Sequence, residues 1–139
     1  MEPRSVNEVF ADTFYFLALL NPADKAHELA VNTSVQLNPS LTTTVWVLAE
    51  LADALSDAAS REQCAHFIRT VLQNAGIYVS DENDLFAAGL ALYEERLDKD
   101  WSLTDCISFV VMKRRNLVDA FTGDRHFEQA GFNALFRNA

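Results

Sequence analysis

The stretch VFADTFYFLALL, residues 9–20, contains the pattern that decides the fold. Its first three residues, Val9–Ala11, are apolar and read as a short buried strand, and an apolar helix is predicted from about Thr13 to Leu20. A strand that leads directly into a helix is typical of an α/β unit. Asp12 lies between the two, at the carboxyl end of the strand, where open parallel sheets form their sites. The structural alternative for Asp12 is an N-cap of the helix.

A second stretch, VDAFTGDRHF at residues 118–127, repeats this order near the end of the chain. A strand is predicted at Val118–Phe121, and Asp124 then precedes a short helix. Two strands of one parallel sheet would place Asp12 and Asp124 at the same edge. Thr13 and Thr122 lie beside these acids and are candidates either for hydroxyl groups that support the site or for ordinary turn residues.

Two further acids lie inside apolar, helix-like runs. Glu50 borders the buried stripe of the helix in TTVWVLAELADAL, which favours a position facing a cleft, whereas Asp53 and Asp57 fit a solvated face better. Asp105 follows Ser102 with the spacing of a capping box, which could explain it as a helix cap alone. The helix that follows is apolar all round, however, so its first turn is expected inside the protein, near the strand ends.

Buried carboxylates are costly unless they are paired or bind a metal. An all-carboxylate oxygen site favours Mg²⁺ or Mn²⁺ over zinc. The three histidines lack HxxxH or His/Cys spacing, and His126 is expected to cap or pack rather than catalyse. The sequence therefore predicts one divalent-metal site built from four acids: Asp12, Glu50, Asp105 and Asp124.

Short strands alternate with helices along the rest of the chain. Further strands are predicted at Leu41–Thr43, at Ile77–Val79 and, at an edge, at Phe132–Phe136. Asn21-Pro22-Ala23-Asp24 has the pattern of a helix start, for a helix to about Val31, and Asp81 is expected to cap a helix to about Leu97. Together these elements predict an α/β fold: a three-layer α/β/α sandwich around a mainly parallel sheet of short strands. Residues 1–139 are expected to form a single domain.

Charge and composition limit the function classes. The net charge is −9, from 11 basic and 20 acidic residues, which argues against indiscriminate binding of nucleic acid. Contacts to a polyanion would have to come from local basic groups, for which the candidates are Lys113-Arg114-Arg115 and Arg125. A basic triplet at a helix end is also explained by the helix dipole alone.

Two cysteines, Cys64 and Cys106, lie far apart in apolar contexts and are expected to be reduced core thiols. The first ten residues lack a positive region followed by an apolar stretch, so no signal peptide is predicted. We therefore expect a cytoplasmic protein without a membrane segment.

The order of these motifs resembles the PIN domain, and most closely the VapC-type toxins of toxin–antitoxin pairs. The resemblance rests on a strand ending in ADT, a helix carrying AEL, the segment DKDWSLTDCISFVVM and the ending TGDRHFEQAGF. It spans about Val9 to Leu135. The family implies a Mg²⁺- or Mn²⁺-dependent ribonuclease, homodimers, and a small antitoxin protein that blocks the active site.

The resemblance also implies roles for individual residues. Three acids would hold the metal (Asp12, Asp105 and Asp124), and Glu50 would bind a second ion or orient water. Thr122 matches the small hydroxyl residue of the family's TxD motif. Contacts to the phosphates of RNA are expected from Lys113, Arg114 and Arg125.

Three alternatives remain open at this point. A protein with this fold could bind RNA or a partner with little turnover, or could be a metal-dependent phosphoesterase acting on DNA or on a small phosphorylated substrate. A response-regulator receiver also has acids at strand ends, but it requires a lysine at a later strand end, and no lysine follows Lys113.

Overall fold

A computed structural model of the chain describes residues 7–137, which form a five-stranded sheet with strand order β3-β2-β1-β4-β5. Every neighbouring pair is parallel. The central strand β1 pairs with β2 on one side and β4 on the other, and its residues Val9, Phe10 and Ala11 have no exposed surface. The strands are β1 (Glu8–Ala11), β2 (Ser40–Thr44), β3 (Ile77–Ser80), β4 (Asp119–Phe121) and β5 (Asn133–Ala134).

Seven helices connect and cover these strands within the described residues. They are α1 (Thr13–Leu20), α2 (His27–Leu37), α3 (Val45–Ala54), α4 (Arg61–Gln73), α5 (Leu85–Glu95), α6 (Leu103–Arg114) and α7 (Arg125–Gln129). None of the helices between residues 7 and 137 has the length and apolar character needed to cross a bilayer.

Aromatic contacts show that helices pack on both faces of the sheet. Successive strand side chains point to opposite faces. On one face the ring of Phe10 meets Phe127 of α7, with centroids 6.2 Å apart, and Phe127 in turn meets Phe109 of α6. On the other face the ring of Phe121 lies 4.8 Å from that of Tyr15 in α1. The predicted α/β class and three-layer sandwich are confirmed.

The predicted helix start at Asn21 is wrong. The Asn21 side chain accepts a hydrogen bond from the backbone N–H of Ala23 (3.0 Å), and Asp24 accepts one from Ala26 (2.8 Å). Asn and Asp side chains often satisfy the backbone of a turn in this way. Helix α2 therefore begins only at His27, and it continues past Val31 to Leu37.

Two other predicted boundaries also change. Helix α5 starts after Asp84 rather than Asp81 and ends at Glu95, so that Leu97 lies outside it and is 87% exposed. The edge strand β5 is shorter than the predicted Phe132–Phe136. Both of these phenylalanines are buried, and Phe136 stacks on Phe121 at 5.3 Å. The side chains at both ends of that segment are buried by packing, although the backbone N–H of Phe136 still bonds the carbonyl of Thr122 (3.0 Å) beyond the end of β4.

Candidate active site

The ends of β1 and β4 bring Asp12 and Asp124 to the same edge of the sheet. The two strands are parallel neighbours, with Ala11 opposite Phe121 in the register. Between the acids lies Thr122, which is fully buried. Its hydroxyl donates to Asp12 Oδ2 (2.8 Å) and accepts from the backbone N–H of Asp124 (3.1 Å). Thr122 therefore fixes Asp12 relative to the turn that carries Asp124.

Gly123 allows this turn to lie close to α1. A Cβ atom built at Gly123 would come within 2.5–3.0 Å of the ring of Phe14. A larger residue would therefore require either the Phe14 ring or the turn to shift. The glycine lets the turn that carries Asp124 and the Phe14 ring of α1 lie in close contact.

Asp12 is a buried carboxylate that does not cap the helix after it. It occupies the N-cap position of α1, yet its side chain makes no capping hydrogen bond. Burial, together with the charges of Asp105 and Glu50, raises the pKa of Asp12 to about 7, against the opposing hydrogen bond from Thr122. Asp105 and Glu50 therefore lie near enough to Asp12 for their charges to disfavour its ionised form.

Asp105 caps α6 and also faces the cluster. The capping box with Ser102 is complete: the Ser102 hydroxyl accepts from the N–H of Asp105 (3.0 Å), and Asp105 Oδ2 accepts from the N–H of Ser102 (3.3 Å). Burial and the charge of Asp124 raise the pKa of Asp105. Its hydrogen bonds end on Oδ2, so Oδ1 remains available to a ligand.

His126 joins Asp105 to Asp124. Its Nδ1 lies 3.2 Å from Asp105 Oδ2 and 3.4 Å from Asp124 Oδ1. One ligand atom from each of these three residues lies within 4.8 Å of the others. The backbone N–H of His126 also donates to Asp124 Oδ1 (2.9 Å), which caps α7. The sequence indicated a capping or packing role for His126, but not its contact with Asp105; the spacing Asp-x-His at a helix start was the available signal.

Glu50 reaches the cluster from α3. Its Oε1 accepts a hydrogen bond from the hydroxyl of Thr13 (2.5 Å), the residue directly after Asp12. Asp53 is exposed on the same helix, as predicted for a solvated face. Among the described residues, Asp105 and Asp124 thus meet at His126, whereas Asp12 and Glu50 lie outside that group and are held nearby by the hydroxyls of Thr122 and Thr13.

The donor set fits a hard divalent cation. Carboxylate oxygens are the ligands that Mg²⁺ and Mn²⁺ prefer, and a bound cation would compensate the repulsion that raises the pKa of Asp12. The imidazole of His126 adds one nitrogen to the ligand atoms of Asp105 and Asp124. The residues present are thus suited to one or two such ions.

The basic residues near α6 have partners of their own. Arg114 donates two hydrogen bonds to Asp84 (3.1 and 2.7 Å), and Arg115 pairs with Glu8 at the start of β1. With a rise of 1.5 Å per residue, these cations lie roughly 12–15 Å along the helix from Asp105. Arg125 is exposed and directly follows Asp124. It is therefore the predicted phosphate contact that lies nearest to the acids along the chain.

Comparison with known proteins gives relatives that match over most of the chain. No family model matches it. A curated relative, the 23S rRNA-specific endonuclease VapC20 of Mycobacterium tuberculosis, is 28% identical over 134 residues, covering 89% of this chain and 95% of the relative. The crystal structure of VapC20, described as a toxin that cleaves the sarcin–ricin loop, superposes with a TM-score of 0.81 at 24% identity, over 89% of this chain and 95% of that one.

The chain is VapC-like in sequence and fold. FitAcB from Neisseria gonorrhoeae, a second solved structure, matches with a TM-score of 0.59 at 18% identity, over 91% of this chain and 95% of that one. The predicted resemblance to PIN-domain, VapC-type proteins is confirmed. The VapC-like fold also accounts for the central position of β1, which places Asp12 between the segments that carry Glu50 and Asp124.

Proposed function

We propose that this VapC-like chain is a divalent-metal-dependent endoribonuclease and the toxin of a toxin–antitoxin pair. The observation that carries the proposal is the grouping of ligand atoms from Asp105, Asp124 and His126 within 4.8 Å, beside the buried Asp12, whose pKa is raised to about 7. A fold rarely keeps such a cluster unless a cation or a reaction uses it. The activity of the relative VapC20 on 23S rRNA favours RNA as the substrate.

The four acids would have different roles in binding metal and water. Asp12, Asp105 and Asp124 hold Mg²⁺ or Mn²⁺, while Glu50, positioned by Thr13, binds a second ion or orients water. A bound ion supplies Lewis acidity and lowers the pKa of a coordinated water. Thr122 keeps Asp12 directed toward the site.

Basic residues would hold the phosphates that flank the cleaved bond. Arg125 and Lys113 are exposed, whereas Arg114 would have to exchange its bonds to Asp84 for bonds to phosphate. In an acidic chain these contacts are local, so binding of RNA is expected to weaken steeply with salt.

The remaining parts of the proposal concern partners. As a toxin, the protein would act in the cytoplasm, be blocked there by a cognate antitoxin protein, and form a homodimer. Residues 1–139 would constitute a single nuclease domain.

Cleavage of single-stranded RNA tests the function. We expect the purified protein to cleave RNA with Mg²⁺ or Mn²⁺ and to stop when EDTA is added. Asp105→Asn and Asp12→Asn should remain folded and lose at least about a hundredfold in rate. Asp53→Asn, which removes an equal charge from an exposed position on α3, is the matched control and should cleave normally.

Two results would overturn the proposal. A folded Asp105→Asn protein that cleaves RNA at the wild-type rate would exclude the catalytic role assigned to Asp105. The alternative function, a module that binds RNA or a partner with little turnover, would then be favoured. Preferential cleavage of single-stranded DNA or of small phosphoesters under the same conditions would identify a different phosphoesterase.

A further inference from the structure

A cavity of about 720 Å³ opens beside the first turn of α6. It lies between the end of α5 and the loop that leads into α6, and its lining includes Tyr93, Arg96, Lys99, Trp101 and Ser102. Pockets that bind small ligands span about 300–1,000 Å³. The cavity is therefore large enough for one nucleotide.

Ser102 connects this cavity to the acidic cluster. Its side chain and backbone N–H both bond Asp105 in the capping box, at 3.0 and 3.3 Å. The rim of the cavity and one carboxylate of the cluster are therefore parts of the same helix turn. A ligand in the cavity would lie next to whatever the cluster binds.

One wall of the cavity combines an indole ring with two cationic side chains. Trp101 is buried, and its indole N–H donates to Gln129 of α7 (3.0 Å). Above its ring lie the guanidinium of Arg96, at 5.1 Å from the centroid, and the ammonium of Lys99, at 6.0 Å. Arg96 also donates two hydrogen bonds of 3.0 Å to Asp98, so its charge is already paired beside the Trp101 ring.

The remaining lining groups fit a nucleobase. Tyr93 is 48% exposed, which leaves a ring face open for stacking. Asp100 also lines the cavity and offers carboxylate oxygens, which accept hydrogen bonds from the amino group of a base. Proteins bind single-stranded RNA through this combination of an aromatic platform and cations that contact phosphate.

We propose that this cavity, the α5–α6 pocket, binds the nucleotide that flanks the cleaved bond. Its base stacks on Tyr93, its amino group is held by Asp100, and its phosphate contacts Lys99. The assignment rests on RNA being the substrate of the acidic cluster. It makes these residues determinants of sequence preference rather than catalytic residues, and it predicts a preference for bases that carry an exocyclic amino group over uracil.

Binding of 5′-AMP, 5′-GMP, 5′-CMP and 5′-UMP to the full chain tests the pocket without cleavage. Saturation-transfer NMR in EDTA prevents a metal ion at the cluster from holding the phosphate. We expect 5′-UMP to bind most weakly, and Tyr93→Ala to weaken binding about tenfold. Tyr93→Phe keeps the ring and should bind normally. Tyr78→Ala is the control, because Tyr78 is similarly exposed at 41% but lies outside the cavity.

A second variant separates base from phosphate recognition. Lys99→Gln should weaken binding of 5′-AMP but not of adenosine, and Lys25→Gln, which changes an exposed lysine elsewhere, should weaken neither. Equal affinities of the wild type and Tyr93→Ala, or no binding by the wild type at several millimolar, would overturn the pocket. RNA cleavage by such a protein would still support the proposed function, whereas nucleotide binding at Tyr93 without RNA cleavage would support the pocket alone.

Discussion

Asp12 is the most deeply buried of the four acids, and the charges of Asp105 and Glu50 act on it as well. Its environment disfavours the ionised form, chiefly through burial and then through the charges of Asp105 and Glu50. The folded protein therefore binds a proton at Asp12 more tightly than the unfolded chain does. This stabilises the metal-free fold at low pH, and the stabilisation is lost as pH rises toward and through about 7.

Replacing Asp12 by asparagine should therefore change stability in a pH-dependent way. In EDTA, the free energy of unfolding of the wild type is expected to fall between pH 5 and pH 8. Asp12→Asn should flatten this decline and be more stable than the wild type at pH 8, by roughly 1–4 kcal/mol. Denaturant unfolding at several pH values measures the difference. Asp53→Asn should follow the wild-type curve. An Asp12→Asn protein that is less stable than the wild type at pH 8 would contradict the predicted cost of ionising Asp12 in the folded protein.

Individual acids could be identified from the sequence, but their partners could not. Asp12, Asp105 and Asp124 stand out because a carboxylate among apolar neighbours needs a compensating contact. The hydrogen bond from Thr13 to Glu50 joins residues 37 positions apart, and that from Thr122 to Asp12 joins residues 110 apart. Such contacts depend on the order of strands in the sheet, which no local pattern specifies.

Among the elements, α5 and α6 form a closely packed pair because Gly89 faces Ile107. A Cβ atom at Gly89 would collide with the Ile107 side chain and lie 3.1 Å from its backbone N and Cα atoms. Gly89→Ala should therefore destabilise the protein by about 1–3 kcal/mol, although alanine is the better helix former. Thermal unfolding measures the effect.

A matched substitution on the same helix separates packing from helix propensity. Ala91 is exposed on α5, so Ala91→Gly should cost about 1 kcal/mol or less through propensity alone. If Gly89→Ala instead stabilises the protein, the gain in helix propensity exceeds the cost of the contact with Ile107. The close packing of α5 on α6 would then not require a glycine at position 89.

The boundaries of helices and strands could be predicted where a single sequence pattern, such as an apolar run or a capping box, determines them. The apolar runs of β1 and α1 and the capping box of α6 match the predictions closely. The prediction failed at Asn21, because Asn, Pro and Asp favour a turn as strongly as a helix start. At the edge strand the prediction was too long, because Phe132 and Phe136 pack their side chains in the core while only Asn133–Ala134 form β5.

At the scale of the whole molecule, the proposed metal site is expected to link stability to divalent cations. Burial and the charges of neighbouring carboxylates raise the pKa values of both Asp12 and Asp105. A divalent cation that binds the folded protein, and not the unfolded chain, would oppose this repulsion. Mg²⁺ or Mn²⁺ should therefore stabilise the entire fold.

At a concentration of 100 times the dissociation constant, the added stability is about 2.7 kcal/mol, which corresponds to a rise of roughly 8–12 °C in melting temperature. The rise should be larger at pH 8 than at pH 6, because at lower pH protons on Asp12 and Asp105 compete with the cation. Differential scanning fluorimetry at constant ionic strength measures the rise in melting temperature and its dependence on pH. Asp124→Asn should reduce the rise, whereas Asp53→Asn should not. A melting temperature that does not change when millimolar Mg²⁺ or Mn²⁺ is added at pH 8 would show that the cluster does not bind these ions.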